Sequence, residues 1–325
     1  GSGTPFVPLG DLTGDPRSSV AGGNWAVGGL NTDATFDGVI SAGSIVKTGT
    51  GKWTLTGANP FTGTMTVSNG VLAFGVSPLD GVTVGSISSA SSVIVAAPGI
   101  LDASGFADDT YQVNTILAGD GTVRGAVAGY GTIAPGFSTN LVGNLTVSSN
   151  LTVGGVAQFK IDQAGGSTVS DMITCTNVTL SDFSSLTVTE ISTNDLVTGD
   201  TFKLFSTPVN ANMANIYVTL PLNNADYSIT YVWTNKLAID GTIVLLSGAT
   251  SSVNPNPSPI NYSVSGNTLS LSWQTNAGWT LQEQTNSLST GLGNNWVDVP
   301  GSSSITSTNI TIDPSKPTVF YRLKY

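Results

Sequence analysis

The sequence predicts an all-β protein: an elongated β-solenoid body followed by a small antiparallel β-sandwich. Three observations point there. Short stretches alternate apolar and polar residues at period two, and glycine, asparagine or proline breaks them every few residues. Glycine-turn patterns recur within the chain, as stacked coils require. No segment reads as helix.

Composition narrows the class. Charged residues are 9% of the 325 residues and apolar ones 39%, so a core is available while the surface is almost neutral. Ser, Thr, Asn and Gly take the place of charge, and strands rich in Val, Ile, Leu and Thr at low charge fold or associate instead of staying disordered. A surface this neutral suits a protein covered by copies of itself, because charge is what keeps soluble proteins apart. Ten Lys and Arg against twenty Asp and Glu give a net charge of −10, which excludes a nucleic-acid footprint. No apolar run approaches the ~18 residues of a membrane span. The single cysteine, Cys175, lies mid-strand as a small hydrophobe and allows no internal disulfide. The chain opens at Gly1 and not at Met, so either a leader has been removed or Gly1-Ser-Gly3 is not native.

In chain order, residues 1–40 form an extended N-terminal segment and cap. Pro5 and Pro8 hold Phe6, Val7 and Leu9 extended and keep them out of the middle of a sheet, though an edge remains open to them. Asn24–Val27 and Ala34–Phe36 supply either an N-terminal cap or a first coil. Asp11, Asp15, Asp33 and Asp37 read as turn residues, since their spacing lacks the dense alternation of a calcium loop. The body spans 41–248. Its most regular stretch is Ser44–Phe74, where Trp53 and Leu55, Met65 and Val67, and Leu72 and Phe74 mark inward faces between the turns Gly49-Thr-Gly51, Gly57-Ala-Asn-Pro60 and Asn69-Gly70. Three strands in these residues fit one solenoid coil; an antiparallel meander, with Asn69-Gly70 as a hairpin turn, fits the periodicity equally well. Farther on, Gly119-Asp-Gly121-Thr-Val is echoed ten residues later by Gly129-Tyr-Gly131-Thr-Ile, a pattern of short stacked rungs. Residues 249–259, with Pro255, Pro257 and Pro259, form a stiff linker. Residues 260–325 form a separate module of five strands: Leu269–Trp273, Trp279–Leu281, Trp296–Val299, Ile310–Ile312 and Val319–Tyr325.

The run Lys47-Thr-Gly-Thr-Gly-Lys-Trp-Thr-Leu-Thr-Gly-Ala-Asn59, then Phe61-Thr-Gly63 and Val67-Ser-Asn-Gly70-Val-Leu72, resembles the autotransporter-associated β-strand repeat, with Trp53 and Met65 at positions usually held by leucine and threonine. The later stretches Gly129–Gly136 and Leu196–Phe205 resemble the distal part of the same passengers. The resemblance implies a secreted bacterial β-solenoid and no particular activity. Leu269–Trp273, Gly278–Gln282, Trp296–Val299 and Phe320–Leu323 resemble a C-terminal module of large secreted bacterial proteins, which implies an attachment or sorting end.

Chemistry is sparse. Without histidine there is no triad base, and one cysteine cannot hold zinc. Asp108-Asp109 reads as an exposed turn. Glu190 and Glu283 fall in different modules, and Arg17, Arg124 and Arg322 are scattered. The expectation is no enzyme, no cofactor and no metal. The sequons at Asn144, Asn150, Asn177, Asn261 and Asn309 are what an Asn/Thr-rich chain produces by chance. Trp279 and Trp296 are a candidate sugar platform. Trp53, Leu55, Phe61, Val67 and Leu72 are the expected core of the repeat.

The function expected is that of a structural subunit of an extracellular bacterial filament or surface assembly. It would join copies of itself head to tail through Phe6, Val7 and Leu9. The alternative is a cell-surface adhesin binding carbohydrate or a host surface.

Overall fold

The computed structural model describes residues 5–164, 166–224, 227–248, 259–273 and 279–324. Two units, Gly1–Ala249 and Thr250–Tyr325, each hold their own core. The linker expected at 249–259 lies outside the described residues apart from Pro259.

The first unit is a β-solenoid. Its main sheet starts at Phe6–Leu9, passes through Asn24–Val27, Ile45–Lys47, Thr64–Val67 and Ser92–Val95, and ends at Ser185–Glu190 and Tyr217–Thr219. Every neighbouring pair along that path is parallel. A second parallel sheet runs from Ala34–Phe36 to Met172–Thr174, and a third from Thr110–Val113 to Val209–Asn210. Parallel strands cannot be joined by two-residue hairpins, so the meander alternative falls and Asn69-Gly70 is a coil corner.

Period-two alternation makes each strand offer one face inward, and parallel register then puts like positions in columns. Ile45, Met65, Val93, Leu117, Ile133, Ala157 and Leu186 form one such column, each at most 1% exposed. Phe36, Leu55 and Phe74 form another. Burying one such side chain contributes about 2 kcal/mol, and the columns join into a single core.

Two expectations need correction. Ser44–Phe74 is more than one coil: Thr64–Val67 lies in register on Ile45–Lys47, and Val71–Phe74 on Lys52–Leu55. A coil here takes 20 residues, as the bond from Ser44 N to Asn24 Oδ1 one coil back demonstrates. Likewise, residues 5–40 already belong to the coils and are not a separate cap. The coils begin at Phe6, because Asn24–Val27 already pairs with strands on both sides.

Beyond the last coils, Thr201–Lys203, Val232–Lys236 and Thr242–Ser247 make a small antiparallel sheet. The one α-helix among the described residues is the four-residue Leu237–Asp240.

The second unit is a sandwich of two antiparallel sheets. One holds Asn261–Ser265, Thr268–Ser272 and Ser307–Thr311; the other holds Thr280–Thr285, Val297–Asp298 and Val319–Lys324. Leu271 and Trp273 from the first face pack with Leu281 from the second. Asn261–Ser265 is a strand the sequence reading left out. It turns back at Gly266, whose φ of +58° is one that glycine adopts without strain.

Candidate functional site

The residues that carry the repeat motif are engaged with neighbouring coils. Lys47 is 1% exposed, although a lysine beside glycines ordinarily reads as solvated. Its ammonium donates to the carbonyls of Thr48 at 2.6 Å, Gly49 at 3.0 Å and Asn69 at 3.2 Å, closing two successive corners. Burial pulls its pKa below the usual lysine range, against the attraction of Asp11 and Asp33. Gly49 has φ +65°, and a Cβ there would sit 1.9 Å from the Gly28 carbonyl oxygen, so neither the conformation nor the space admits a side chain. Asn59 does comparable work at another corner. Its amide oxygen accepts from Ile40 N at 2.9 Å, and its NH₂ donates to Gly57 O at 2.8 Å and Ser86 O at 3.0 Å.

Trp53, Leu55, Phe61, Val67 and Leu72 are all buried, and the Trp53 indole N–H donates to Leu12 O at 3.1 Å. The motif thus encodes a coil corner and its core.

At the N-terminal end, Phe6–Leu9 pairs with Asn24–Val27 of its own chain, Phe6 beside Asn24 and Leu9 beside Val27. Asn24–Val27 is its sole strand partner among the described residues, so the opposite edge carries no ladder. Phe6 is 43% and Val7 46% exposed, while Leu9 packs against the core. The partner is the strand eighteen residues on in the same chain, and Pro8 is tolerated because the segment stands on an edge. At the other end, Tyr217–Thr219 also has one strand partner among the described residues, and Tyr217 is exposed.

The two tryptophans of the candidate sugar platform stand in different surroundings. Trp279 is 8% exposed, because it alternates in phase with the buried Leu281, and one face of Trp296 is covered by the Arg322 guanidinium 4.2 Å from the ring centre.

The carboxylates of the first turns serve the backbone. Asp15 accepts from Arg17 N, Asp33 from Lys52 N, Asp37 from the Thr56 hydroxyl, and Asp11 from the Thr32 hydroxyl. Asp108 and Asp109 are exposed and take left-handed φ values of +56° and +49°. Arg124 pairs with Asp102 at 2.7 Å, and Arg322 donates to Gln282. Sequon asparagines face each other across coils, Asn177 donating to Asn150 at 2.9 Å. Cys175 is buried, which pushes its thiol up. Among the described residues, no group of three His, Cys, Asp or Glu comes together to hold a metal, and no helix is long and apolar enough to cross a membrane.

One buried ion pair was not foreseen. Asp171, fully buried, accepts from Lys160 Nζ at 2.6 Å, Lys160 N at 2.7 Å and Gly143 N at 2.7 Å, which ties the loop before Gly143 to the main sheet.

Residues 45–74 match the passenger-associated transport repeat. That repeat implies an autotransporter-passenger-like protein, surface-exposed or secreted. No curated protein and no solved structure matches the chain.

Proposed function

We propose that this protein is a structural subunit of an extracellular filament or surface assembly, with no catalytic role, and that copies add head to tail along the main sheet. The observation that carries this reading is the pair of end strands, Phe6–Leu9 and Tyr217–Thr219, each partnered on one side only among the described residues. All the main-path strands run parallel, so the two open edges are different surfaces. Laying the first edge of one copy beside the last edge of the next continues the ladder in the same sense. A heterologous contact of this kind does not close on itself and produces an open fibre. Exposed Phe6 and Val7 at one end and Tyr217 at the other supply apolar side chains for the junction.

The scarcity of charged residues, 9% of the chain, fits the same role. The N-terminal strand remains in its own chain in this arrangement and offers its outer edge; it is not handed to a neighbour.

The test is a double substitution at exposed positions, Phe6→Asp with Val7→Asp, examined by negative-stain microscopy and sedimentation. The expected result is a folded protein that no longer forms fibres. Fibres at the unmodified rate, or an unmodified protein that stays monodisperse under all conditions, would overturn the reading.

A further inference from the structure

A groove of about 540 Å³ lies between the end of the strand Ser185–Glu190 and residues 219–224 together with Tyr227. Glu190, Ser192, Thr219 and Asn223 bring a carboxyl group, hydroxyls and an amide to it, and Leu222 and Tyr227 stand on its rim, 71% and 80% exposed. We propose that this groove binds an uncharged glycan, a sugar ring lying on Tyr227 and its hydroxyls hydrogen-bonded to Glu190 and Asn223.

The side chains behind the groove are fixed. Asn224 is 5% exposed; its amide donates to Asp195 Oδ1 at 2.8 Å and Ser228 Oγ at 3.1 Å and accepts from Ile229 N at 3.0 Å. Tyr231 accepts from Leu196 N at 3.1 Å and donates to Glu190 Oε1 at 3.3 Å, which orients the carboxyl group. Trp233 donates to Pro221 O at 2.7 Å and stacks edge-on with Tyr231. Binding groups held by a second layer of satisfied polar contacts are pre-organised for a ligand.

Tyr227, on the groove's rim, gains little from the fold. Its φ of +61° is a left-handed value that costs a bulky residue energy, and its ring lies in solvent, where it contributes no burial. An exposed aromatic face beside a carboxyl group and an amide is the combination that recognises a pyranose: the ring covers the C–H face, and the polar groups take the hydroxyls.

The charge nearby selects among glycans. Burial, helped by the charges of Asp195 and Asp162, pushes the Glu190 carboxyl up to about 7. A uronate, sialate or sulfate would enter against that field, whereas an uncharged sugar would not.

The test is calorimetric titration of the intact protein with cellohexaose, mannohexaose and xylohexaose, and with polygalacturonate as the charged probe. At least one neutral hexaose should bind saturably and polygalacturonate should not. Tyr227→Ala and Glu190→Gln should each weaken binding about tenfold or more. Tyr130→Ala, at an 86% exposed aromatic elsewhere, should leave binding unchanged. Tyr227→Gly separates function from structure: it should raise the melting temperature by relieving the strained φ while abolishing binding. The proposal is overturned if none of the three hexaoses binds, if polygalacturonate binds as well as they do, or if Tyr227→Gly lowers stability or retains binding. None of these outcomes depends on whether fibres form.

Discussion

Leu55 in the body packs between Phe36 and Phe74, one coil before and one coil after it. Leu281 in the C-terminal module lies opposite Leu323, its partner in an antiparallel pair. Both are fully buried, yet the two environments differ in how far a change travels. Each strand of a parallel coil is hydrogen-bonded to the coils before and after it, so Leu55 is flanked within its sheet by residues nineteen positions away on each side. The module is built from short antiparallel pairs around a small cluster of Leu271, Trp273 and Leu281. Stability in the body is therefore shared along the stack, while in the module it is local.

The largest test of that contrast pairs Leu55→Asp with Leu281→Asp. An unpaired charge in either core should cost more than about 4 kcal/mol. Leu55→Asp should abolish the cooperative unfolding of the body in urea. Leu281→Asp should remove the module's transition and leave the body's midpoint where it was. If both variants lose both transitions, the division into shared and local stability is wrong.

Next in size is Asp171→Ala. It leaves Lys160 nearly buried without its carboxylate and frees Gly143 N, at a cost of about 3 kcal/mol, measurable by denaturant titration. Lys47→Met keeps the aliphatic stem but strips three carbonyls of their donor, at about 2 kcal/mol; a neutral outcome would mean that water reaches that corner.

The smallest effect is a pH dependence confined to the body. The folded pKa of Glu190, about 7, stands above its ordinary 4.5, chiefly because of burial. The folded state therefore holds the proton more tightly. The associated stability is present below pH 4.5 and is lost as the pH rises through 7. Since Glu190 is only half-buried and screened by solvent, the change should be on the order of 1 kcal/mol. Glu190→Gln should flatten it while leaving the module's pH profile unchanged.

The strands were legible in the sequence because alternation at period two survives any arrangement: Trp53 and Leu55, or Met65 and Val67, point inward whichever strand lies beside them. What lies beside them was not legible, since pairing is a relation between distant residues. That is why Ser44–Phe74 read as one coil when Thr64 already begins the next. Lys47 escaped notice because a lysine among glycines looks solvated, yet the signal was there: consecutive tight turns leave several carbonyls converging on one point, and a lysine immediately before them can reach all of them. Trp279 could have been placed correctly, because it alternates in phase with Leu281. The Glu190 groove had no sequence signal, since Glu190, Asn223 and Tyr227 are brought together only by the last coil and the loop after it.

The coils of the body differ in the residues they use. One takes 20, from Asn24 to Ser44, and another takes 28, from Thr64 to Ser92, with much of the excess looped out around the Val76–Val84 bridge. Each nevertheless advances the ladder by a single strand spacing, about 4.8 Å. The stack is in this respect a ruler graduated in coils. Residues inserted at a corner add mass without adding a graduation, whereas duplicating a whole coil adds one. Variation in corner length can thus decorate the stack freely while its height stays fixed by how many times the chain goes round.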